Sequence, residues 1–127
     1  MIRLLIAEDS GVVRHGLVKL LGNEQDMSVE GASSNGEAAL QLLRAGLQCD
    51  VVLADLNMPL MDGFELSTKI HEEFPRLKVI ILTMHAKPDF MKRAREAGVA
   101  GYLLKHLEPE ELSDSIRLIC SGIGRFM

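Results

Sequence analysis

A doubly wound α/β fold, with a five-stranded parallel sheet covered by five helices, is what this 127-residue sequence predicts. Three observations carry that expectation. Five short apolar runs alternate with five amphipathic stretches, about one pair every 25 residues. The runs are continuously apolar, as strands buried on both faces are. Each amphipathic stretch ends on Gly or Pro, at Gly22, Gly46, Pro75, Gly98 and Gly122.

The first run is Ile2 to Ala7, with Arg3 able to reach solvent, and it ends on the adjacent acids Glu8 and Asp9. Ser10 or Asp9 can cap the helix that follows, whose Val12, Val13, Leu17, Leu20 and Leu21 fall on one side. Met27 to Ala32 is a weaker strand. Asn35-Gly36-Glu37 opens a second helix with Ala38, Ala39, Leu42 and Leu43 inward. Val51 to Ala54 is too brief for a helix and ends on Asp55; Met58-Pro59 and the turn pair Asp62-Gly63 come next.

Leu66, Ile70 and Phe74, spaced four apart, mark one face of a third helix. Val79 to Leu82 is the purest β-branched and aliphatic run, and it finishes at Thr83. Pro88 suits the first turn of a fourth helix carrying Phe90, Met91, Ala94 and Ala97. Gly101 to Leu104 is a fifth strand ending on Lys105, and Pro109 starts a last helix with Leu112, Ile116, Ile119 and Cys120 inward. Residues 1–122 form the predicted domain, and 123–127 read as the start of a linker or tail. Right-handed crossovers restrict such a chain to doubly wound orders, of which 2-1-3-4-5 suits this size.

Composition narrows the function classes. Hydrophobic residues make up 47% and charged residues 25% of the chain, ordinary values for a folded domain with one core. A net charge of -4 argues against a nucleic-acid-binding face, which needs a surplus of Lys and Arg. The two cysteines, Cys49 and Cys120, fit no metal spacing and read as buried thiols in a reducing compartment. No run approaches a membrane span, and no signal-peptide pattern opens the chain, so a cytoplasmic location with no membrane partner is expected.

In the order 2-1-3-4-5 the first and third strands are neighbours, and the polar strand ends converge at their carboxyl edge: Glu8, Asp9, Asp55, Thr83 and Lys105. Taken singly, each has a bland explanation as a cap, a turn former or a solvated charge. Their coincidence at one edge does not. Three crowded carboxylates call for a cation, and hard oxygen ligands on one side suit Mg²⁺, which often shares its shell with phosphate. Lys105 adds a point charge and Thr83 a hydroxyl, so the set fits a phosphoryl group, with Asp55 the nucleophile that forms an acyl phosphate.

These residues, with the run Asp55-Leu56-Asn57-Met58-Pro59-Leu60-Met61-Asp62-Gly63, resemble the receiver domain of two-component response regulators across essentially the whole chain. The stretches Thr83-Met84-His85, Gly101 to Lys105 and Glu108 to Leu112 are similar to the NarL/LuxR-type branch. The resemblance implies a flavodoxin-like receiver fold and assigns roles: Asp55 as phosphoacceptor, Asp9 as direct metal ligand, Glu8 acting through metal-bound water, and the Asn57 backbone carbonyl as a further ligand. It makes Thr83 the switch hydroxyl, Tyr102 the aromatic that turns inward when Thr83 moves, and Lys105 the partner of the phosphoryl oxygens. It implies a sensor histidine kinase as phosphodonor, a homodimer forming on phosphorylation, a switching face of helix 4, strand 5 and helix 5, and no turnover as an enzyme. DNA would be reached only through a C-terminal helix-turn-helix domain absent from this sequence; a stand-alone receiver acting by protein–protein contact is the alternative.

Two positions depart from the family pattern. His106 follows Lys105 where many receivers carry a cis proline, and a cis bond without proline costs about 3 kcal/mol. Met84, often a small residue, stands beside the site with His85, where the two and Asn57 can line the approach of a hydrolytic water. Three rival readings fit less well. A flavin carrier would not place Glu8-Asp9 where a phosphate must bind. A phosphohydrolase would want a second acid at the position of Asn57. A pseudoreceiver would not keep the full set of acids, Thr and Lys.

Overall fold

The computed structural model describes residues 1–84, 87–123 and 125–126. Its strands are β1 (Ile2–Ala7), β2 (Met27–Ser33), β3 (Val51–Asp55), β4 (Lys78–Thr83), β5 (Gly101–Leu104) and β6 (Arg125–Phe126). The helices between them are α1 (Gly11–Gly22), α2 (Gly36–Arg44), α3 (Gly63–Glu73), α4 (Pro88–Glu96) and α5 (Pro109–Cys120). All pairings are parallel, in the order β2-β1-β3-β4-β5-β6. The predicted order 2-1-3-4-5 therefore stands. A two-residue sixth strand extends it against β5, from within the stretch expected to be a linker or tail.

Strand periodicity divides the core into two layers. Leu5, Val52, Ala54, Ile81 and Tyr102 point to one face, where α2, α3 and α4 cover them with Leu40, Leu43, Phe64, Leu66, Ile70 and Ala94. Leu4, Ile6, Val51, Leu53, Ile80, Leu82 and Leu103 point to the other, beneath α1 and α5 with Leu21, Leu112, Ile116 and Ile119. The central strands are fully enclosed, which is why they read as unbroken apolar runs.

Local signals set the helix ends. Ser10 caps α1 by accepting from the Val13 N–H, and Asn35 caps α2 by accepting from the Ala38 N–H. Asp62 and Glu65 form a reciprocal capping box on α3. The stops at Gly46 and Gly98 take φ of 104° and 79°, which a side chain would resist. Lys87 supplies no side-chain cap to α4.

Some inward assignments need correction or refinement. Val12 is 86% exposed and Val13 is also exposed, because the first turn of α1 stands at the carboxyl edge of the sheet with no strand beneath it. In α2 Leu40 joins Ala39 and Leu43 among the buried residues, Leu42 packs half-buried against the same core as expected, and Ala38 is half-buried. Cys120 is half-buried as well; Cys49 is buried, and that burial pushes its thiol up to about 11, where it is inert. No described peptide bond is cis. Among the described residues no helix is long and apolar enough to cross a membrane.

Candidate functional site

The register brings the strand ends together. Ala7 is level with Ala54, Asp55 with Leu82, and Thr83 with Leu104. Glu8 and Asp9 therefore leave β1 beside Asp55, while the Lys105 N–H donates to the Thr83 carbonyl at 2.7 Å and closes the β4–β5 side.

Glu8, Asp55 and Thr83 are buried, and Asp9 is exposed at the mouth. Glu8, Asp9 and Asp55 each offer an oxygen within 4.8 Å of the others. Lys105 spans two of them: its Nζ lies 2.8 Å from Glu8 Oε1 and 2.9 Å from Asp55 Oδ1. Glu8 is held further by the Ser10 N–H, which donates to its Oε2 at 3.1 Å. One ammonium thus faces three carboxylates.

The electrostatic consequence falls on Asp55. Burial pushes its carboxyl up, and the acids Asp9 and Glu8 push the same way against Lys105, so that it reaches about 7. Asp9 shifts the opposite way: burial would raise it, but hydrogen bonds shared with Asp55 and Glu8 outweigh that and lower it. Of the two, Asp55 is therefore the acid that holds on to a proton more strongly. Burial also works to lower Lys105, and its two carboxylate partners overcome this and raise it.

Such a cluster, all hard oxygens with excess negative charge and one exposed member, is chemically suited to a small divalent cation such as Mg²⁺. An ion there would displace the proton and offset the repulsion between the acids. Asn57 lies exposed two residues beyond Asp55, on the loop that leads to α3.

Thr83 and Tyr102 share a hydrogen bond across the β4–β5 edge. Tyr102, expected to be the aromatic that turns inward when Thr83 moves, is fully buried here. Met84 is 58% exposed beside buried Thr83, and His85 lies outside the described residues.

Two further residues contribute, one of them from within the motif. Gly63 closes the loop that carries Asp55: its N–H donates to the Leu56 carbonyl at 2.9 Å, and a Cβ there would meet the Asp55 carbonyl oxygen at 2.8 Å. The obstacle is backbone, so Gly63→Ala must shift the loop or α3. We expect it to lower stability by about 1–3 kcal/mol, read as a lower urea midpoint with unchanged slope. Arg14 is the other contributor, and its Nη1 donates to the Glu8 carbonyl at 2.8 Å. Only its position, four residues past the α1 cap, could have pointed to it.

Comparison with known proteins agrees with this geometry. Residues 4–117 match the family model of the response regulator receiver domain. The transcriptional regulatory protein YvfU of Bacillus subtilis is 42% identical over 122 residues, covering 96% of this chain and 60% of YvfU. The signal receiver domain of the response regulator NarL from Mycobacterium tuberculosis superposes with a TM-score of 0.89 at 30% identity, covering 95% of this chain and 97% of that one. The isolated receiver domain of RcsB from Salmonella enterica serovar Typhimurium, solved with the phosphomimetic BeF3⁻, gives 0.88 at 27% identity, covering 99% and 93%. The matched relatives are response regulators of the NarL/LuxR type. The chain spans less than two thirds of the curated relatives' length.

Proposed function

Because the chain belongs to the response regulator receiver family, in its NarL/LuxR-type branch, we propose that it works as a phosphoacceptor switch with Asp55 as the acceptor and Mg²⁺ at Glu8, Asp9, Asp55 and the Asn57 carbonyl. The observation that carries this reading is the burial of Asp55 against one ammonium and two further carboxylates, at the end of a central strand. A bound Mg²⁺ supplies positive charge that offsets the acids and the incoming phosphoryl oxygens.

In this reading, an Asp55 carboxylate oxygen attacks phosphorus while the bond from phosphorus to the donor's imidazole nitrogen breaks, and the imidazole leaves with the electron pair. Lys105 is placed to stabilise the charge that gathers on the phosphoryl oxygens. Asp55 must be ionised to attack, and its proton leaves most easily above its value of about 7 or when a cation enters. The donor would be a sensor histidine kinase, and phosphorylation would favour a homodimer. Output would be transcriptional, through a DNA-binding domain beyond the receiver, and the domain itself would not turn over as an enzyme.

The experiment is intact-mass spectrometry after incubation with acetyl phosphate in Mg²⁺. One added phosphoryl group is expected, absent in EDTA and absent in Asp55→Asn; labelling of Asp55→Asn at the parent's level would sink the assignment.

Switching follows from the shared Thr83 hydroxyl. A phosphoryl group on Asp55 competes with Tyr102 for it, and loss of that bond loosens the β4–α4 connection. Helix α4 is poised to respond, since it has no side-chain cap. Hydrogen exchange should therefore change across 87–93 and 101–104 on phosphorylation. Identical exchange in both segments would contradict the proposed switching face.

A further inference from the structure

We propose that Arg14 is a positioning residue that fixes the Glu8–Asp9 turn for a metal ion, an inference that rests on reading the acidic cluster as a cation centre. Asp9 is the exposed member of the cluster and follows directly on Glu8. Its placement depends on whether the backbone on either side can rotate.

On the Glu8 side the backbone is held at both its N–H and its carbonyl, and Oε1 of the carboxylate has an ion-pair contact with Lys105 but no hydrogen-bond partner among the described residues. The Glu8 N–H donates to the Ser33 carbonyl at 3.0 Å, its carboxylate meets Lys105 and the Ser10 N–H, and its carbonyl accepts from Arg14 Nη1 at 2.8 Å. On the other side, the Ser10 hydroxyl caps α1, and the Ser10 carbonyl accepts the Arg14 N–H at 2.8 Å. Arg14 thus grips both ends of the short turn, with its backbone on Ser10 and its guanidinium on Glu8. The Glu8–Asp9 peptide cannot turn over without breaking the guanidinium contact.

The choice of acceptor matters. A guanidinium placed on a carboxylate would compete with an incoming cation for the same oxygens. Arg14 instead bonds a neutral carbonyl, so it orders the ligands and leaves their charge available. Arg14 also lines a groove with Ser33, Ala38, Gln41 and Leu42, so its substitution changes bulk there as well as removing donors. A test has to separate these two effects.

Arg14→Met keeps the stem and removes the donors; Arg14→Lys keeps one donor. In EDTA, Arg14→Met should speed hydrogen exchange at the Asp9 and Ser10 amides while the urea midpoint stays close to the parent's. Mg²⁺ titration should show about tenfold weaker binding in Arg14→Met, restored to within about threefold in Arg14→Lys. Unchanged exchange and unchanged Mg²⁺ affinity would overturn the proposal. So would weaker binding that accompanies a lowered urea midpoint and is not restored by lysine, because that pattern belongs to lost packing. If the parent binds no Mg²⁺, the cation centre itself is wrong, and faster exchange at Asp9 and Ser10 in Arg14→Met still establishes the ordering role.

Discussion

Asp55→Asn is expected to be more stable than the parent in EDTA at about pH 8, and less stable than the parent in saturating Mg²⁺. The Asp55 carboxyl stands at about 7 in the fold against an ordinary 3.8, so the folded chain binds its proton more tightly than the unfolded chain does. The stability this group contributes is thus fully present below about pH 4 and is lost as pH rises through about 7. Above that, an ionised Asp55 beside Glu8 and Asp9 costs stability, and an amide of the same shape removes the cost. A gain of about 1–3 kcal/mol is expected in EDTA at pH 8, shrinking towards pH 5.

In Mg²⁺ the order inverts. The parent gains about 4.1 kcal/mol when the ion is at a thousand times its dissociation constant, more than the variant's advantage in EDTA, while the variant has one anionic ligand fewer. Urea midpoints at two pH values, with and without Mg²⁺, check both halves. A variant that is less stable than the parent in EDTA would mean that the acids do not repel as the geometry requires.

Lys105→Met is the second large effect. The substitution withdraws the ammonium from Glu8 Oε1 and Asp55 Oδ1 together, and Glu8 is only 2% exposed, so water cannot easily replace it. Breaking a buried ion pair from one side leaves uncompensated charge, and a loss of about 2–4 kcal/mol is expected, larger above pH 7 where Asp55 ionises. Phosphoryl uptake should slow about a hundredfold, since one donor to the phosphoryl oxygens is gone. Mg²⁺ should bind more tightly, because the cation that shares its carboxylates has been removed. Time courses of labelling and a metal titration read the two effects separately; a variant labelled at the parent's rate would remove Lys105 from the proposed chemistry.

Much of this was legible in the chain, for physical reasons that differ by element. Strands β1, β3, β4 and β5 announce themselves because enclosure on both faces demands unbroken apolar runs. Helix ends follow from the chemistry of Ser10, Asn35, Asp62 and the glycines. The meeting of Glu8, Asp9 and Asp55 follows from strand order, which makes a distant pair of strand ends adjacent.

What stayed hidden depends on three-dimensional detail. Helical spacing places Val12 with Leu17 and Leu21, but it cannot tell that the sheet ends beneath the first turn. The sixth strand has two residues, too few for any periodicity. The Lys105–Glu8 contact is chosen by side-chain reach, and the Arg14–Glu8 bond closes within a turn whose geometry no motif specifies. Tyr102 could be placed in β5, but its inward ring and its bond to Thr83 depend on space beneath α4.

The central claim, that Asp55 is the residue that takes the phosphoryl group, is tested most directly by chemical trapping. The protein is incubated with acetyl phosphate in Mg²⁺, reduced with borohydride, and mapped by peptide mass spectrometry, since hydride converts an aspartyl phosphate to homoserine. Homoserine in place of Asp55 alone, and none after incubation in EDTA, is the predicted result. Conversion at Asp9 or Asp62 with Asp55 intact, or equal conversion in EDTA, would contradict it.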